Sequence, residues 1–143
     1  MGYTHYWQYQ PASAAYAAVW PRIVADTRRI LTEIGTTIAL AGPDGTGTPL
    51  LDLTEGIAYN GARPDDFETF DLAPPGASDR PWGFCKTERR PYDLAVTATL
   101  LRCHLLLPDE FGIGSDGNLD SDWAPAHKLI QNLFDTGTTR PQP

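Results

Sequence analysis

From Tyr3 to Tyr9 the chain reads YTHYWQY, an alternation that predicts a strand with Tyr3, His5, Trp7 and Tyr9 on one face and Thr4, Tyr6 and Gln8 on the other. The period then changes. Between Tyr16 and Ile34 the residues Trp20, Ile23, Val24, Thr27, Ile30, Leu31 and Ile34 recur at steps of three and four, with Arg22, Asp26, Arg29 and Glu33 opposite, which predicts an amphipathic helix. Pro21 must lie in its first turn or bend it, because an interior proline removes a hydrogen bond and clashes with the preceding turn. Gly35 is a natural stop. The segments TTIALA, LLDLT, GIAYN and DFETFDL follow, separated by Gly, Pro, Asn or Asp, the punctuation of an antiparallel meander.

Leu72 to Pro81 is rich in Pro, Gly and Ala and reads as a loop, after which PWGFCK forms one more strand. Pro91 to Leu107 is apolar almost all round and predicts a buried central helix. FGIG is a short strand before the polar turn SDGNLDSD, and if it ends beside the strand that carries Lys86, Ser115 and Asp116 project into the same mouth. A last helix turns Trp123, Ala126, Ile130, Leu133 and Phe134 inward. The fold class is therefore α+β: a single domain over 1–137, with an antiparallel or mixed sheet of about five to six strands and three helices mainly on one face. Residues 138–143 read as a flexible tail.

Composition narrows the function. With 18 acidic and 11 basic residues the net charge is -7, which disfavours general nucleic-acid binding unless the basic groups are segregated on one face. No apolar run is long enough to cross a membrane, and GYTHYWQYQ after Met1 lacks the basic start and apolar stretch of an export signal, so a soluble, unsecreted protein is expected. Cys85 and Cys103 form no CxxC pair and are expected to be reduced thiols.

The stretch FCKTERRPYDLAV departs from this acidic background. Arg90 precedes Pro91, which pushes it away from helical angles, so the helix is expected to begin at Pro91 with Tyr92 and Asp93 in its first turn. Lys86, Thr87, Arg89 and Arg90 then feed a helix N-terminus, where unpaired N–H groups and the helix dipole favour an anion. The alternative is a solvated turn in which Glu88 and Asp93 neutralise the arginines. His5 faces either the core or a pocket, and Asn60, at a strand end, is placed to read a polar ligand edge.

Asp116, Asn118 and Asp120 fall at the first, third and fifth positions of a calcium loop. However, Ser121 stands where glycine belongs and His127 where glutamate belongs, so the segment reads as a turn and helix cap. His5, His104 and His127 have no metal-ligand spacing, and neither a metal nor a cofactor is expected. GPDGTGTP lacks the lysine of a phosphate-binding loop.

GYTHYW, DGTG, the Asn60-Gly61 turn, FETF, FCKTERRPYDLAVTA and the SDG before DWAPA together resemble a family of short, uncharacterised tailed-phage and prophage proteins, over nearly the whole chain. The resemblance implies expression in the host cytoplasm and, by analogy with small phage proteins outside the virion, action against host defence. Sequestration of nucleotide second messengers is one such theme.

The residues and this setting lead to a non-enzymatic protein that binds a small anionic, nucleotide-like ligand. Lys86, Thr87, Arg89 and Arg90 are expected on phosphate, Tyr6, Trp7 or Tyr92 on a base, and Asn60, Asp93, Asp116 and His5 around the pocket. One alternative is a small nucleotide hydrolase or transferase using Asp93, Asp116 or Glu68 as general base. Another is an inhibitor of a host protein, anchored by Tyr9, Tyr16 or Trp82. A homo-oligomer is compatible with each.

Overall fold

The computed structural model describes residues 3–134. The expected tail at 138–143 lies outside the described residues. A first strand, β1 (Thr4–Gln8), buries His5 and Trp7 and exposes Tyr6, as the alternation requires. Helix α1 (Ala14–Ile34) starts two residues before the periodic pattern because Ser13 caps it, its Oγ accepting the Tyr16 N–H at 3.0 Å. Pro21 lies inside this helix, which continues through it.

Four short strands follow, β2 (Leu40–Ala41), β3 (Leu50–Asp52), β4 (Gly56–Gly61) and β5 (Phe70–Leu72), and then β6 (Trp82–Lys86). Helix α2 (Asp93–Leu106), strand β7 (Gly112–Ser115) and helix α3 (Ala124–Phe134) complete the chain. The result is a single α+β domain whose strands form two antiparallel sheets rather than one. In the first sheet β1 lies between β6 and β7, and in the second β4 pairs with β2, β3 and β5. Strand β4 is buried along its whole length, so it carries the apolar Ile57, Ala58 and Tyr59 without a solvent-facing side.

Helix α2 is the centre of the core, with Ala95, Val96, Ala98, Leu100 and Cys103 buried. It packs against α1 and α3 and receives the Tyr59 hydroxyl on the Ala95 carbonyl at 2.9 Å. One charged pair crosses this interior: Arg102 Nε donates to Asp26 Oδ2 at 2.7 Å, with side chains 8% and 9% exposed. Arg22 adds a second bond to Asp26, and the Arg102 guanidinium lies 4.1 Å from the Phe134 ring centroid.

Candidate functional site

Segments far apart in sequence meet where the start of β1, the end of β6, the start of α2 and the end of β7 come together. Antiparallel register sets His5 opposite Cys85 on one side and opposite Ser115 on the other. His5 Nε2 is 2.6 Å from Asp93 Oδ1, and His5 Nδ1 is 2.8 Å from Ser115 Oγ. The carboxylate can only accept, so Nε2 donates to Asp93, and Nδ1 shares a hydrogen bond with the Ser115 hydroxyl. Thr87 Oγ1 donates to the same Asp93 oxygen at 2.5 Å, and the Gly117 N–H donates to Ser115 Oγ at 2.9 Å. Thr87, Asp93, His5, Ser115 and Gly117 thus form one continuous chain of hydrogen bonds. Its imidazole is wholly buried, edge-on to Tyr3 and Trp123.

Three site expectations change at the head of α2. The helix begins at Asp93, not Pro91, because Glu88 and Arg89 both adopt left-handed angles, φ 54° and 58°, and the chain must turn back before it can wind. That turn consumes the donors assigned to an anion: the N–H groups of Thr87 and Glu88 donate to Tyr3 O, that of Arg90 to Thr87 O, and that of Asp93 to Arg90 O. Thr87 is buried and its hydroxyl belongs to Asp93, so it is not a ligand contact.

The remaining predicted residues separate into two groups. Tyr92, Trp7 and Asn60 are core residues: Tyr92 is 0% exposed with its hydroxyl on the Glu68 carbonyl, and Trp7 is 3% exposed, so neither ring can stack on a ligand. The Asn60 amide is spent on the backbone of Gly61 and Phe67 and on the Thr69 hydroxyl, holding the 60–69 connection closed. Asp116 lies at the surface but is engaged, its carboxylate accepting from the Thr4 N–H at 3.1 Å and the Tyr6 hydroxyl at 3.0 Å. Tyr9 and Tyr16, expected as exposed anchors, are buried as well.

The cations divide too. Arg89 stacks on Tyr3, 3.8 Å from the ring centroid, and faces Asp122. Lys86 and Arg90 each lie near Phe67 instead, with each charged group 5.9 Å from the centroid of that ring, which is 39% exposed. Glu68, a candidate general base in the sequence, accepts from the Lys86 backbone N–H at 2.8 Å and ties β6 to the connection that leads into β5. Phe67 is the residue that sequence reasoning passed over; its place between two polar carboxylate-bearing positions, Asp66 and Glu68, was the available signal.

Strand β7 does not end beside β6 but lies on the opposite edge of β1, so the condition for Ser115 and Asp116 to share a mouth with Lys86 is not met and Ser115 reaches His5. In SDGNLDSD the side-chain oxygens serve the backbone: Asn118 Oδ1 accepts from Asp120 and Ser121 N–H, and Asp122 Oδ2 from Asn118 N–H. Among the described residues no group of three or more His, Cys, Asp or Glu side chains is placed to hold a metal ion, and no helix is long and apolar enough to cross a membrane. No protein-family model, curated protein or solved structure matches the chain.

Proposed function

We propose that this protein is a binding module for a small anionic, nucleotide-like ligand, held at the surface where Lys86 and Arg90 flank Phe67. The observation that carries this reading is the convergence of two cations on one exposed ring, in a chain whose net charge is -7. A phosphate takes charge-assisted hydrogen bonds from both cations, and the ring face accepts a base. The hydrogen-bonded chain from Thr87 to Ser115 fixes the turn from which Arg90 projects. In a phage-infected cell such a protein would act in the host cytoplasm by withholding a nucleotide signal from host defence.

Replacing Lys86 and Arg90 together with alanine should weaken nucleotide binding by at least about a hundredfold in titration calorimetry, since each bond to a charged group contributes about 1.5–3 kcal/mol. The melting temperature should stay within a few degrees, as neither side chain holds the core. Undiminished affinity across a nucleotide panel contradicts the proposal.

A second reading rests on the order hydroxyl, imidazole, carboxylate in Ser115, His5 and Asp93, the set that activates a serine nucleophile on unrelated folds. Mass spectrometry of the same panel after incubation separates the two, because an enzyme yields products and a binding module returns intact ligand.

A further inference from the structure

One face of the β6–β1–β7 sheet covers the core, and the other carries a row of uncovered rings. Trp82, Phe84 and Tyr6 are 45%, 50% and 41% exposed, and Tyr6 and Phe84 are cross-strand partners. The Trp82 and Phe84 rings lie parallel within 11°, with centroids 5.9 Å apart. Strand β7 places only glycine beside them, Gly114 opposite Tyr6 and Gly112 opposite Gln8, so no third row of side chains screens the rings.

Cations punctuate the row. The Arg80 guanidinium lies 4.7 Å from the Trp82 centroid at one end, and Lys86 stands two residues beyond Phe84 at the other, leading to Phe67 and Arg90. From Trp82 to Lys86 the strand spans about 13 Å at about 3.3 Å per residue, with Arg80 just before it. Acidic groups adjoin it but two are engaged: Asp116 binds the Tyr6 hydroxyl and the Thr4 N–H, and Glu68 binds the Lys86 N–H. Asp71 is exposed and lines, with Arg80, Trp82 and Phe84, a cleft of about 190 Å³, where the Arg80 guanidinium is the nearby counter-charge.

We infer that this face binds a short single-stranded oligonucleotide, whose bases stack on Trp82, Phe84 and Tyr6 while Arg80, Lys86 and Arg90 follow its phosphates. Exposed rings bounded by cations at both ends of a sheet face suit unpaired bases joined by phosphates, because every base offers a flat face and every linkage a negative charge. A duplex keeps its bases stacked inside and cannot use the rings. A purely apolar protein surface would leave the cations at both ends unpaired. The inference rests on the proposed function, for the Lys86–Arg90 site forms one end of the row, and it extends the ligand from one base to two or three.

The test compares a trinucleotide with its mononucleotide in fluorescence titration, Trp82 being the exposed tryptophan among the described residues and Trp7, Trp20 and Trp123 being buried. The trinucleotide should bind at least tenfold tighter and quench emission, and the Trp82→Ala/Phe84→Ala variant should lose that advantage yet keep mononucleotide binding. Equal affinity for the two lengths, or a length advantage that survives in the variant, overturns this inference while leaving the single-nucleotide site standing. A wild-type dimer in sedimentation that becomes monomeric in the variant assigns the rings to self-association and also overturns it. Failure of both ligands to bind removes the proposed function itself.

Discussion

Asp93 Oδ1 accepts from both His5 and Thr87, and the imidazole beyond it has no access to water. Removing that carboxylate strands a buried N–H and a buried hydroxyl, so Asp93→Ala should lose about 3 kcal/mol in urea unfolding. A midpoint equal to that of the wild type would mean the hydrogen-bonded chain is not formed. Gly83 meets a different constraint. A Cβ there would lie 2.5 Å from the Trp7 ring, and Gly83→Ala should cost about 1–3 kcal/mol by overpacking.

The thiols set an alkaline limit at the same scale. Burial pushes both Cys85 and Cys103 from 9.0 up to about 12. Below pH 9 the thiols are neutral whether the chain is folded or not, and their contribution to stability is complete. As pH rises from 9 to 12 only the unfolded chain ionises, so stability falls across that window. Urea midpoints should therefore drop between pH 8 and pH 11, and replacing both cysteines with alanine should make the fall shallower. That Tyr3, His5, Trp7 and Tyr9 share one face of the first strand was legible from alternation; that this face turns wholly into the core was not, since Trp7 was expected on a ligand. That His5 would touch Ser115 and Asp93 was not, because it depends on the order of strands and no local pattern encodes that order.

Among the elements, α1 and α2 are joined by more than apolar contact. Arg102 and Asp26 bridge them with both side chains nearly enclosed, so Asp26→Asn should lose about 3–5 kcal/mol by leaving a buried guanidinium without its counter-charge. Replacing the pair with leucine and methionine should restore most of that loss, and a double-mutant cycle by chemical denaturation measures the coupling. The helices were readable because their period persists over many residues. The strands of the second sheet were less so: β2 and β5 are two and three residues long, and their pairing with β4 is fixed by tertiary contact. The start of α2 was misplaced for a specific reason. Two consecutive non-glycine residues in left-handed geometry, Glu88 and Arg89, are disfavoured sterically, and sequence patterns do not announce them.

Across the whole molecule, charge is distributed against its average. The chain is acidic, yet Arg80, Lys86 and Arg90 accompany exposed rings along one edge, while Arg102 is buried and Arg89 is turned aside onto Tyr3. The cluster in FCKTERRPYD was visible in the sequence, but its division between Lys86 and Arg90 beside Phe67 and Arg89 on Tyr3 required the fold. The most direct test is the native mass of the protein as expressed, followed by titration with a nucleotide panel. The account predicts a co-purified or titratable phosphate-bearing ligand that disappears in Lys86→Ala/Arg90→Ala; a bare polypeptide mass that stays bare at millimolar nucleotide would contradict it.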